Sequence, residues 1–211
     1  LKSHLPLPIY FLGLGGFAKE VLAAWEHFDL SKHYSYAGFF DDDAAKASEK
    51  GYQGSLAAVS SLPEGTALLI AFTATEAKQR LVASLSQAAF SFPNAIHQSA
   101  QIGQDVQLGH GNIISAGCIL TTEIELGDFN ILNHYVTIGH HCRLGTGNAL
   151  MTKAHLSGHV TLGDYNLLAV GSSILQGKSM GKGNILGPHA CLMNNVGDGQ
   201  TYLGSPALAV K

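Results

Sequence analysis

Three short runs in this chain carry residue types that could do chemistry: Gly13-Leu14-Gly15-Gly16-Phe17, Asp41-Asp42-Asp43 and Ile138-Gly139-His140-His141-Cys142. Glycines spaced as in the first let backbone amides approach a phosphate at a helix start, and an acid at the tip of the next strand can accept hydrogen bonds from a ribose or base. The plainer reading of the same residues is a tight turn followed by an acidic surface loop. The third run sets two imidazoles side by side, and imidazole is the side chain that titrates near neutral pH. With eleven histidines in 211 residues, position and not number must single out a functional one.

The glycine run needs a strand before it and a helix after it. Ile9 to Leu14 reads as a buried strand, Phe17 to Phe28 as a helix, Tyr36 to Phe40 as a second strand, Ala67 to Phe72 as a third, and Thr75 to Ala89 as a second helix. That order predicts a small parallel α/β sheet. A dinucleotide is a poor fit. The last glycine of the GxGxxG pattern is replaced by Ala18, and about ninety residues hold only one half of a doubly wound dinucleotide fold. A single nucleotide carrying a sugar fits better.

From Ile96 to Leu192, seventeen positions spaced six apart are all Ile, Leu or Met without interruption. Leu108-Gly109-His110-Gly111-Asn112 also recurs every eighteen residues, as Leu126-Gly127-Asp128-Phe129-Asn130 and onward to Met180-Gly181-Lys182-Gly183-Asn184. One turn is therefore three hexads. Such a period predicts a three-sided parallel β-helix, with one apolar side chain per strand pointing inward and the stacked coils burying a continuous core. Gly and Asn would occupy the corners because they tolerate positive φ. Small or β-branched residues such as Cys118, Val136, Cys142 and Ala154 suit a narrow prism. The spacing places the division at 1–90 and 91–211.

Twelve Lys plus Arg against fifteen Asp plus Glu leave no basic field for nucleic acid or an anionic membrane. The apolar stretch Ala67 to Phe72 is too short to span a bilayer, and the opening Leu1 to Ile9 is broken by Pro6 and Pro8. Three cysteines, two of them in small coil positions, read as packing residues of a reducing compartment, so a soluble, cytoplasmic protein is expected.

A short glycine-rich α/β domain, followed by a hexapeptide coil carrying Asn133 and Ile138-Gly139-His140-His141-Cys142 and closing in Leu203-Gly204-Ser205-Pro206-Ala207, resembles the sialic acid O-acetyltransferase and nucleotide-amino-sugar N-acetyltransferase family. The resemblance covers nearly the whole chain. It implies a Rossmann-like nucleotide-sugar-binding domain, a left-handed β-helix, a homotrimer and acetyl-CoA as donor. It also implies N-acetylation of a nucleotide-linked 4-amino-dideoxy sugar on the way to bacterial surface glycans. His140 matches the general base, two residues after the inward Ile138 and so on the outer surface. A base is needed because the attacking amine must lose a proton. The family usually has an acid after the base, and this chain has His141. Glu123, one coil before His141, would then supply the carboxylate, since adjacent strands lie roughly 4.8 Å apart.

The same resemblance assigns Asn133, Gly15, Gly16, Phe17, Asp41, Asp42 and Thr73 to the nucleotide sugar. It assigns Ala149, Val170, Gly171 and Pro188 to acetyl-CoA; Gly158, one coil after His140, would by its position neighbour the oxyanion. Hexapeptide coils also host zinc, but the related carbonic anhydrases place two ligands five residues apart, and no two histidines here are so spaced. His155 with His159, or His141 with His159, are possible partners without a complete ligand set, so no metal is expected. Two other readings stay open: O-acetylation of sialic acid or a related nonulosonate, and a non-catalytic trimeric scaffold.

Overall fold

The computed structural model describes residues 6–86 and 88–210; the apolar opening before Pro6 and residue 87 lie outside them. The first unit is a parallel sheet of β1 (Leu7–Leu12), β2 (Tyr34–Phe40), β3 (Tyr52–Gly54) and β4 (Ala67–Ile70), in the order β3-β2-β1-β4. Helix α1 (Gly16–Ala23) follows β1, and α2 (Thr75–Leu85) follows β4. β1 and β4 are apolar on both faces because both are covered: Ile9, Phe11, Leu12, Leu68 and Leu69 have no exposed surface.

α2 ends at Leu85 and not at Ala89, and two other elements differ from the expectation. β3 went unseen because Tyr52-Gln53-Gly54 is too short to show a period. The first helix stops at Ala23 and continues as two 3-10 turns, Trp25–His27 and Asp29–Lys32, which drop Phe28 and Leu30 into the core. Phe28 there forms a β-bridge with His97, which a continued helix would have prevented.

From Ala95 onward the chain winds as a three-sided column of mostly two-residue strands. Up to Leu192 each side is a parallel sheet whose neighbours are eighteen residues apart, as in Leu132 on Leu150, Ile138 on Leu156 and Leu144 on Leu162. Every hexad position from Ile114 to Leu192 is at most 5 % exposed, while Ile96, Ile102 and Leu108 are partly buried at the open end. Cys118, Cys142, Val136 and Ala154 fill the narrow interior as expected. Leu208–Val210 turns back antiparallel onto Thr201–Leu203 of the same chain.

The recurring asparagines have a different cause from the one the sequence suggested. None of them takes positive φ; that falls on the residue before, as at Phe129 and Tyr165. Instead Asn112, Asn130, Asn148, Asn166 and Asn184 point inward and are buried. Each Oδ1 accepts the backbone N–H of the next rung, at 2.8–2.9 Å from Asn112 through to Gln200. A buried N–H left unpaired costs about 1–3 kcal/mol, so the ladder is what closes this corner.

The two units share a core. Ala95, Ile113 and Ile131 on one side of the column pack with Phe11, Leu14 and Phe28 of the sheet domain. Ser91 still bridges Ala67, so the units part between Ser91 and Ala95. Lys78 of α2 is fully buried and donates from Nζ to the Phe129 carbonyl of the column at 3.0 Å.

Candidate active site

The column has three corners, and the one joining the six-stranded to the five-stranded sheet carries His140 and His141. Stacking at eighteen-residue intervals lines up Asp105, Glu123, His141 and His159, all in the left-handed backbone region with φ of 53° to 59°. The repeat thus converts a sequence interval into side-chain contact. Glu123 Oε2 meets His141 Nε2, as the coil arithmetic anticipated. His141 Nδ1 lies 3.0 Å from His140 Nδ1. His159 stacks on His141 with ring centroids 4.6 Å apart, and its ring stands at 90° to that of His140. A hollow of about 380 Å³ beside them is lined by Asp105, Glu123, Glu125, His141, Arg143 and His159.

His140 leans on the next rung at Gly158. A Cβ on Gly158 would sit 2.6 Å from His140 Nε2 and 2.7 Å from Cε1, so only glycine lets the ring lie there. Gly158 is buried, and among the described residues its N–H has no acceptor. An unpaired buried donor is uncommon. The side of Gly158 on which a Cβ would stand faces His140 Nε2, the ring nitrogen that points away from His141.

The other column residues named from the sequence lie elsewhere. Asn133 is on the neighbouring corner, between the eight- and six-stranded sheets, with its Oδ1 receiving His134 N–H at 2.7 Å. Val170, Gly171 and Pro188 follow on that same corner, with Val170 and Pro188 exposed. Within one chain, then, these positions are a full face of the prism away from His140. Ala149 must be corrected: it is 0 % exposed in the eight-stranded face, so it has no surface to offer coenzyme A. His159 was seen from the sequence only as a possible metal partner, although the interval that flagged Glu123 also reaches it.

In the sheet domain the glycine run forms the turn between β1 and α1. Gly13 takes φ +85°, and α1 begins at Gly16 without a side-chain cap, which leaves first-turn amides for an anion. Gly16 is exposed, and Gly15 and Phe17 are half-buried. Asp41 is spent internally. Its Oδ2 accepts Leu14 N–H at 2.8 Å and Lys46 Nζ at 2.6 Å, and its Oδ1 accepts Asp43 N–H at 2.9 Å. Burial alone would raise this carboxyl, but those hydrogen bonds outweigh it and hold the group below the usual range. Asp41 therefore braces the glycine loop; Asp42 and Asp43 are exposed, and Asp42 Oδ1 accepts Leu56 N–H at 2.8 Å. Asp42 and Phe72, the neighbour of Thr73, border one cleft of about 370 Å³. Leu14, Lys19, Tyr36 and Lys50 border a second of about 660 Å³.

Residues 8–85 match the PglD N-terminal domain family. The whole fold is similar to PerB from Caulobacter crescentus in complex with CoA and GDP-perosamine, at 26% identity and a TM-score of 0.84 over 97% of each chain. Residues 8–85 thus belong to the PglD N-terminal domain family, and the chain as a whole resembles perosamine N-acetyltransferase. The acetyltransferase domain of PglB from Neisseria gonorrhoeae FA1090, in complex with acetyl coenzyme A, shares the fold at 24% identity and a TM-score of 0.85, over 97% of this chain and 100% of that one. WeeI from Acinetobacter baumannii AYE does so at 24% identity and 0.69, with the same coverage. No curated protein sequence matches the chain. The chain has the Rossmann-like domain and left-handed parallel β-helix that the sequence predicted. No helix among the described residues is long and apolar enough to cross a membrane.

Proposed function

We propose that this protein transfers the acetyl group of acetyl-CoA to the amino group of a nucleotide-linked 4-amino-dideoxy sugar, with His140 as general base. The observation that carries the residue assignment is the hydrogen-bonded chain from Glu123 through His141 to His140. Glu123 can only accept, so His141 carries its hydrogen on Nε2 and presents a lone pair at Nδ1. His140 then donates from Nδ1, which leaves its Nε2 lone pair free to take a proton. The missing acid after the base is thus supplied one residue further along a relay, and Glu123 and His141 act as positioning residues.

The amine nitrogen attacks the thioester carbonyl carbon, and its proton passes to His140 Nε2. The oxyanion that forms lies where the Gly158 N–H can donate to it. As the carbon–sulfur bond breaks, the imidazolium returns the proton to the coenzyme A sulfur, giving the amide and free thiol. The α1 amides and Asp42 hold the nucleotide, with Gly15, Gly16, Phe17 and Thr73 around it.

A second copy of the chain completes the site in this reading. Asn133, Val170, Gly171 and Pro188 share a corner that His140 does not, so a groove containing both sets forms where one copy's corner faces another's. Closed symmetry with three such grooves is a homotrimer. The test is thiol release from acetyl-CoA with a panel of UDP- and GDP-linked amino sugars, sialic acid included. Turnover with a nucleotide amino sugar and its loss in His140→Asn are expected; turnover with sialic acid alone, or full activity of the variant, would overturn the reading.

A further inference from the structure

We infer that His140, His141 and His159 form a binding site for one divalent transition-metal ion such as zinc, and that an ion there switches the enzyme off. The three rings converge so that each offers a nitrogen within 4.8 Å of the other two. The Nδ1 atoms of His140 and His141 face each other at 3.0 Å. Two tetrahedral zinc ligands at 2.0–2.1 Å from the metal stand about 3.3 Å apart, so a few tenths of an ångström of opening admits the ion between them. His159 comes from the next rung, and its ring is already held by stacking on His141.

What separates this cluster from a chance group of surface histidines is the carboxylate behind it. Glu123 binds the far nitrogen of His141, which fixes the hydrogen on Nε2 and directs the Nδ1 lone pair inward. That is the carboxylate–histidine arrangement that orients imidazole ligands in metal sites. The hollow around it holds Asp105, Glu123 and Glu125 against Arg143 alone, with Arg143 paired to Glu125 at 3.2 Å, so the local charge favours a cation. Three imidazoles leave the fourth tetrahedral position to water.

The inhibitory half of this inference rests on His140 being the base. Metal on His140 Nδ1 requires the ring hydrogen on Nε2, and a protonated Nε2 cannot accept a proton from the amine. Metal and catalysis then compete for one imidazole, in opposite tautomers. The protein is active without metal and is inhibited in proportion to occupancy.

Isothermal titration of the intact protein with zinc chloride tests the site. The comparison is with His159→Asn, His110→Asn and Glu123→Gln, each checked for an unchanged thermal melt. Asn suits position 159 because it tolerates the left-handed backbone there. One zinc per chain is expected, bound at least about tenfold more weakly by His159→Asn, about 10–100-fold more weakly by Glu123→Gln, and as well as ever by His110→Asn. Acetyl transfer should fall as the site fills and return with EDTA. Absence of saturable binding, or equal affinity in wild type and His159→Asn, overturns the site. Binding as described with turnover unaffected upholds the site and instead overturns His140 as the base.

Discussion

His140 and His141 meet through their Nδ1 atoms at 3.0 Å, an arrangement that only one hydrogen can occupy when both rings are neutral. Which ring holds it decides whether His140 has a free Nε2, and Glu123 decides which ring holds it. Replacing Glu123 with Gln keeps an acceptor near His141 but removes the charge that favours this tautomer and the imidazolium formed in the reaction. The expected result is a kcat lower by about tenfold or more with KM for acetyl-CoA unchanged, short of the roughly 10²–10⁴-fold loss for His140→Asn. Steady-state kinetics at saturating amino sugar measure both, and an unaltered kcat for Glu123→Gln would remove the relay.

Gly158→Ala separates positioning from stability. The new methyl would overlap the edge of the His140 ring, which is the far end of a rotatable side chain, while the Gly158 backbone is not in the left-handed region. The ring swings away and the fold tolerates the change. A loss of about 10²-fold in kcat is expected, the size associated with a displacement near 1 Å, with a melting temperature within a few degrees of wild type. A large drop in stability with normal kcat would mean the ring does not rest on Gly158.

Much of this was legible because a coil makes long-range contact a matter of local arithmetic. The inward aliphatics and the Glu123–His141 contact both follow from counting by six and eighteen. Asn was misassigned for a physical reason: it is common at positive φ and equally able to pair with buried backbone, and spacing does not distinguish a turn from a ladder. Asp41 was read as a ligand acceptor because its bond to Leu14 N–H spans twenty-seven residues of a fold with no repeat to count along. Ala149 was named by analogy alone, and its burial in the eight-stranded face depends on packing that no interval encodes.

The asparagine ladder predicts an uneven sensitivity to substitution. Asn148 Oδ1 accepts both the backbone N–H and the side-chain amide of Asn166, at 2.9 and 3.0 Å, in a site with no exposed surface. Asn148→Ala removes both bonds and the Asn148 Nδ2 donation to Asn130 Oδ1, and leaves the buried backbone N–H and side-chain amide of Asn166 unpaired, at a cost of about 1–3 kcal/mol for each group before any cavity is counted. Exposed Asn195 on the last coil makes one bond, to Ser179 N–H, and its Ala variant should cost less than half as much. Urea unfolding midpoints compare the two; equal losses would show that the ladder contributes nothing beyond ordinary polar contacts.

Lys78 makes the folded protein's stability depend on pH between its two units. It has no exposed surface, its Nζ donates to the Phe129 carbonyl, and burial pushes it down from an ordinary 10.5 to about 7. Between those values the unfolded chain binds a proton at Lys78 that the folded chain does not. Stability therefore rises with pH through this window, by up to about 1.4 kcal/mol per pH unit from this group, and its full deficit is present below pH 7. Lys78→Met keeps the side-chain length and removes the titration. It also leaves the Phe129 carbonyl without its donor, a fixed cost that does not vary with pH. Unfolding free energies at pH 7, 8 and 9 should thus show wild type gaining on Lys78→Met at each step. A constant difference across the three would show that Lys78 stays protonated in the folded protein over this range, its pKa not lowered by burial.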